Sequence, residues 1–351
     1  VIPKLTSTAF MRHQWLAGLL ALSMATPLLA ANTDEPPTPR DIWYQAIGNG
    51  YAELASDTQR LAEQASDYCQ SPSAEGREAL TNQWLDAYLA WQAVRFVNFG
   101  PIEQQSRAWQ LQFWPDRKNL VGRKVSAWLK ADTAPSMQSI VDGSVAIKGF
   151  PAIEYLLFDD ALDAPQALAA PQACGLLSAI SQHLEATARQ LNDDWQAFGD
   201  HYRDTDSYTQ ATLEAGLQAL ELMETKRLAA PLGLTGGAPN AYLAEAWRSQ
   251  RSITLITASL SGLQEAYLPG LRLLLQQADQ QALYDDFAAT LDEAMAKVDG
   301  MEGGIASALE EPAARSAVQE LYVQVSQLNW LGSKILIALG ITRGFNATDG
   351  D

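Results

Sequence analysis

The chain has 351 residues, with 24 basic against 41 acidic side chains, a formal charge of −17, and 47% hydrophobic residues. So acidic a surface repels nucleic acid and anionic lipid, which argues against a nucleic-acid partner, and it is compatible with cation binding. The length is ample for one large or two ordinary domains around a substantial core.

Taken in chain order, residues 1–31 read as a short upstream stretch, VIPKLTSTAF, followed by a secretory signal peptide. Arg12 and His13 supply its positive start, Trp15 to Leu29 its apolar run, and Ala30-Ala31 the small residues at a cleavage point. The apolar run is shorter than the roughly 20 residues a membrane span needs and contains Ser23, Thr26 and Pro27, so no membrane insertion of the mature chain is expected. Removal takes Lys4 and Arg12 but no acid, so 24 − 2 = 22 basic residues face 41 acidic ones and the charge becomes −19. Residues 32–40, rich in proline, threonine and acids, read as a disordered leader. The expected location is the periplasm. In an exported protein Cys69 and Cys174 are expected to form a disulfide closing a loop of about 100 residues, with unpaired burial as the alternative.

The mature domain is expected over 41–351. A helix is predicted from Asp41, as its cap, through Tyr44, Ile47, Tyr51 and Leu54 to Tyr68. A second carries Trp84, Tyr88, Trp91 and Arg95 on one face and stops at Gly100-Pro101. Its aromatic stripe suits a core, whereas Arg95 at the end needs a partner, either a carboxylate or a ligand. Ser106 to Asp116 reads as a loop, yet Trp109, Phe113 and Trp114 must be covered, so it should pack into a groove. Asp116 either caps a helix predicted over 117–130 or serves as a ligand.

In Lys148 to Asp160, KGFPAIEYLLFDD, Pro151 sits where a first helical turn tolerates it, and Glu154 is the single carboxylate of an apolar helix. It is either a structural group answering first-turn N–H groups or a ligand. Residues 164–171 form a linker. Ile180, Leu184, Ala188, Leu191 and Trp195, then Leu213, Leu217 and Leu220, mark amphipathic bundle helices. His183 falls beside that stripe and is expected to be solvated. Residues 231–239, PLGLTGGAP, suit a hinge or a close approach to a ligand, and they lack the ending of a phosphate-binding loop. A long helix is predicted from Asn240 to Pro269, with Arg248 and Arg251 near its start for ion pairs or anion capture. Two more follow over 279–298 and 312–339. Strand-type alternation is absent, so the fold class is all-α, with about eight to ten helices.

Gly149-Phe150-Pro151-Ala152-Ile153-Glu154 resembles the G-x-H-x-x-E signature of the imelysin family, with Pro151 where that family usually has histidine. Further resemblance lies in Arg95 with Phe99-Gly100-Pro101, in Trp114-Pro115-Asp116, in Ala246-Trp247-Arg248-Ser249-Gln250, and in Gly344-Phe345-Asn346-Ala347 followed by Asp349-Gly350-Asp351. The match runs roughly from residue 40 to 351. It implies two helical bundles related by an internal duplication, with halves near 41–165 and 172–345 and the signature at their junction.

The resemblance implies two chemistries. A metallopeptidase would use the signature histidine and glutamate, but such a site needs about three ligands and an activated water. With Pro151 in place of the histidine, and only His183 and His201 left in the mature chain, no catalytic set is expected. The other implication is iron acquisition, because imelysin-like proteins are often encoded with iron-uptake systems. A direct site for iron, or for copper or zinc, would lean on Glu154 and Asp116, with Asp349 and Asp351 as remoter acids. Equally, Arg95 and Arg248 with Phe99, Trp109, Trp114 and Phe150, beside Pro151 and Trp247, would suit a cleft for an anionic, aromatic-bearing ligand such as a metal chelate. The expected function is therefore a periplasmic, non-enzymatic binding component of iron or metal uptake, with a metal ion or chelate as ligand and envelope iron-transport proteins as partners. The alternatives are an imelysin-type metallopeptidase and an envelope scaffold without ligand.

Overall fold

The computed structural model describes residues 36–341 apart from 134 and 302. The expected signal peptide and the tail segment with Asp349 and Asp351 lie outside the described residues. Among those described, every regular element is helical.

Helix α1, Pro39–Gln70, starts before the expected Asp41 cap. Thr38 is the cap: its hydroxyl accepts from the Asp41 amide at 3.2 Å, and the Asp41 carboxylate accepts from the Thr38 amide at 2.8 Å. This reciprocal box, with Pro39 in the first turn, satisfies donors that Asp41 alone would leave open. Helix α2, Ala74–Val94, is capped by Ser73 and buries Trp84, Tyr88 and Trp91 as the spacing predicts. Inside the expected loop lies a short helix, α3, Arg107–Leu111. Helix α4, Leu120–Leu129, begins later than expected because the Asp116 carboxylate takes the amides of Leu120 and Val121 at 2.7 and 2.8 Å. The chain continues through α5, Met137–Val141, the signature helix α6, Gly149–Phe158, and α7, Pro165–Ala169, which lies in the expected linker. Then come α8, Pro171–Ala197, α9, Gly199–Asp204, and α10, Ser207–Leu222, which runs into a π-helical turn over Met223–Ala229 and the short α11, Ala230–Leu232.

The helix expected from Asn240 does not form there. Residues 241–243 make a 3-10 turn under the Asn240 side chain, and the chain stays irregular to Gln250, with Ala246 and Gln250 at φ 46° and 57°. Helix α12, Ser252–Gly262, starts only after that turn, and a π-helical stretch, Leu263–Tyr267, joins it to α13, Leu268–Gln277. Groups within 245–250 are claimed by partners far away in sequence, which outweighs local helix propensity. Helices α14, Gln281–Val298, α15, Ile305–Ala308, and α16, Pro312–Ala338, complete the chain.

Helix α1 packs between α2 and α8, and α6 lies on α8 and α4. On its other side α2 meets α12, while α14 joins α16 to α12 and α13. The α2–α12 approach is close enough that a Cβ on Gly262 would lie 2.0 Å from the Ala93 carbonyl oxygen. The Cys69–Cys174 disulfide forms as expected and ties the end of α1 to the first turn of α8. No described helix is long and apolar enough to cross a membrane.

Candidate functional site

Helix α6 starts where only glycine fits. Gly149 has φ +69°, and a Cβ on it would lie 2.0 Å from the carbonyl oxygen of Leu111 at the end of α3. One and a half turns later Glu154 is buried, beyond the first turn expected for it. Its partner is remote in sequence: Oε1 accepts from both the amide and the hydroxyl of Ser249, each at 2.9 Å. Burial pushes the Glu154 carboxyl above the usual range, against the pull of the Ser249 donors and of Arg248. Arg248 stacks over Trp247 at 4.3 Å and Tyr155 at 5.0 Å, donates to Asn119 Oδ1 at 3.0 Å and faces Asp159 at 3.6 Å. Glu154 thus clamps the strained turn 246–250 onto the signature helix.

Asp116 turns its two carboxylate oxygens to the backbone of α4. Among the described residues no group of three or more His, Cys, Asp or Glu side chains is placed to hold a metal ion. His183, expected to be solvated, is buried under α3 and shares a 2.9 Å hydrogen bond with Gln110 Oε1. Burial, with Lys148 adding to it, lowers its pKa to about 4, so the ring is neutral. Helical spacing placed it beside the apolar stripe; the short α3, unforeseen in the sequence, covers that flank.

Arg95 finds a carboxylate, and it is one the sequence did not single out. Glu245 is buried and receives Arg95 Nη1 at 2.5 Å on Oε1 and lies 2.6 Å from Arg227 Nη2 through Oε2. Gln92, at 3.2 Å, and Gln112 also donate to Oε1. Gln112 is held in turn, accepting from Trp91 Nε1 at 2.7 Å and donating to the Tyr88 hydroxyl at 2.6 Å. Burial alone would raise the Glu245 carboxyl, but Arg227 and Arg95 outweigh it and hold it below the usual range. Burial brings Arg227 down to about 10 while Glu245 pulls it back, so it stays charged at neutral pH. Two arginines on one carboxylate leave the cluster with an excess positive charge. Arg227 reaches it from the π-helical turn, a device often found at functional sites. An arginine before Leu228-Ala229 and a glutamate before Ala246-Trp247 carry no spacing that would have announced them.

Beside this cluster opens a cavity of about 900 Å³, within the range of small-molecule sites. The end of α2 with Arg95 and Asn98 makes one wall, and α10 with its π-helical turn makes the other. Trp109 and Trp114 line it from the segment around α3, with the Arg95 guanidinium 5.4 Å from the centre of the Trp114 ring. The sequence-predicted cleft is therefore divided. Arg95, Trp109 and Trp114 come together, whereas Phe99 packs against Tyr202 and Trp195 in the aromatic core and Phe150 is buried in a 4.5 Å stack on Tyr88. Pro151 stays in the first turn of α6, and Trp247 and Arg248 belong to the Glu154 clamp. Tyr88 and Gln112 connect the two regions.

The family model described as imelysin matches residues 47–330. The chain belongs to the imelysin family. Its fold is similar to that of an imelysin-like protein from Psychrobacter arcticum 273-4, at 25% identity and TM-score 0.75, over 88% of this chain and 97% of that one. It also resembles a Parabacteroides distasonis ATCC 8503 protein assigned as an iron-regulated protein A precursor, at 14% identity and TM-score 0.63, over 86% and 97%. At that identity the second likeness speaks for the fold alone. A search among curated proteins finds no match. In this imelysin the signature glutamate holds the 246–250 turn in place, and the open, chemically mixed surface lies one layer away, at the groove.

Proposed function

We propose that this imelysin is an exported, non-enzymatic binding component of iron or metal uptake in the periplasm, and that its ligand is a metal chelate held in the groove beside Arg95. Family membership and the leader-like start of the sequence support the uptake role. The observation that favours a chelate over a bare ion is the use made of the acids: Glu154 is engaged by Ser249 and Asp116 by α4, while the groove joins a cation to two tryptophans. A hydrolytic site would need a metal-ligand set and an activated water, and a clamped Glu154 beside Pro151 offers neither. Envelope iron-transport proteins are the partners this role implies.

The test is titration of the mature chain, from Asn32, with haem and ferric citrate, and separately with ferric, ferrous, copper and zinc ions, following tryptophan emission. Saturable one-to-one quenching by haem or ferric citrate, with no saturable binding of the bare ions, is expected. Tight binding of a bare ion that Glu154→Ala abolishes would restore the direct metal site. Peptide hydrolysis lost in the same variant would restore the peptidase, and no binding of anything would leave a scaffold.

A further inference from the structure

With the groove taken as the ligand site of the uptake role, its chemistry narrows the ligand further than its size does. Among the described residues, the hydrogen bonds of Arg95 leave from Nη1, to Gln92 Oε1 at 3.5 Å and Glu245 Oε1 at 2.5 Å. The rest of its planar fork remains for a ligand that can accept from it. Because Arg227 shares the same glutamate, Glu245 does not neutralise Arg95, and Lys226 adds a second cation on the facing wall. A charge left uncompensated where protein replaces much of the surrounding water attracts an anion more strongly than one in open solvent.

The groove is not uniformly positive. Glu214 also lines the α10 wall, but from Glu214 to Lys226 the chain climbs about 18 Å along the helix. Glu103 also lines the cavity, and its carboxylate is engaged, accepting from the Gly100 amide at 3.0 Å. Glu221 lines the α10 wall between these ends and is itself engaged. Asn98 donates to Gln218 at 2.6 Å midway and ties the two walls together. The Arg95 end is therefore the anion end. Trp114 stands over it, with its ring centre 5.4 Å from the guanidinium, and Trp109, 46% exposed, lines the same cavity, a large aromatic surface to leave in water on so acidic a protein. Offset stacking on such rings favours a flat aromatic partner over an aliphatic one.

We propose that the groove binds a planar aromatic carboxylate, with the carboxylate paired to Arg95 and the ring against Trp109 and Trp114. The class includes aromatic acids that chelate metals, but the metal is not needed for recognition.

The experiment uses metal-free probes on the mature chain: 1-naphthoate and its neutral counterpart 1-naphthalenemethanol, measured by calorimetry and tryptophan quenching. Saturable binding of naphthoate, with the alcohol about tenfold or more weaker, is the expected result, because a hydrogen-bonded charge is lost. Arg95→Gln should erase that preference. Since Arg95 belongs to a buried network, its variant is read only if circular dichroism and thermal midpoint show a folded chain. Trp109→Ala, on an exposed side chain, supplies the independent check and should weaken naphthoate severalfold. Absence of saturable naphthoate binding, equal affinity for the alcohol, or no effect of Trp109→Ala would overturn the proposal. Binding of haem or ferric citrate without naphthoate would overturn this inference and spare the uptake role; naphthoate binding with neither iron species bound would do the reverse.

Discussion

Glu154 shows how much a single residue can announce, and how little of its purpose. A lone carboxylate in an apolar helix is legible from composition, and burial with hydrogen bonding follows almost by necessity. Its partner does not follow, because Ser249 lies 95 positions away and is brought up by the packing of other elements. The carboxyl is raised above its ordinary value, so folding disfavours the ionised form. Its contribution to stability is therefore fully present below the unfolded-state pKa and is lost as pH rises through the raised folded value. Glu154→Gln keeps an acceptor for Ser249 and removes the buried charge. At neutral pH it should unfold in urea at the same or higher concentration than the parent, and the parent should gain on it as pH falls. Glu154→Ala leaves the Ser249 amide without its acceptor, while the hydroxyl keeps the Ala246 carbonyl at 3.2 Å, and should lose about 1–3 kcal/mol in the same assay. A parent that loses ground to the glutamine variant on acidification would contradict this account.

Among the elements, the long helices α1, α2, α8 and α16 are the ones periodicity finds, because their apolar faces repeat locally whatever they pack against. Misplacements cluster where a side chain, near or remote in sequence, competes for the backbone. Thr38 pre-empts Asp41 at the start of α1, Asp116 delays α4, and the Glu154 clamp with the Glu245 cluster keeps 240–251 from continuing α12. The junction of α3 and α6 makes a testable case. Gly149→Ala places a Cβ against a backbone carbonyl in a left-handed conformation, which offers no side-chain escape. A loss of about 2–5 kcal/mol in the urea unfolding free energy is expected, from the strained φ and the overpacking together. A loss below about 0.5 kcal/mol, as at an ordinary surface site, would show that α6 can shift away from α3.

At the scale of the whole molecule, the Cys69–Cys174 bridge fastens α1 to α8 across 105 positions. On the chain-entropy account it stabilises the fold by about 4–5 kcal/mol. Reduction, or the double Cys→Ser variant, should lower the urea midpoint accordingly, and an unchanged midpoint would mean that the core alone holds these helices. The pairing was foreseeable from two cysteines in an export-type sequence, as were the all-α class, the acidic surface and the family. All of these rest on composition, local period or short motifs, which survive without knowledge of the third dimension. The Glu245 cluster, the burial of His183 and the separation of the groove from the signature helix were not foreseeable. Each depends on which distant side chains meet, and a buried charge or a cavity is defined by its neighbours in space, not by its neighbours along the chain.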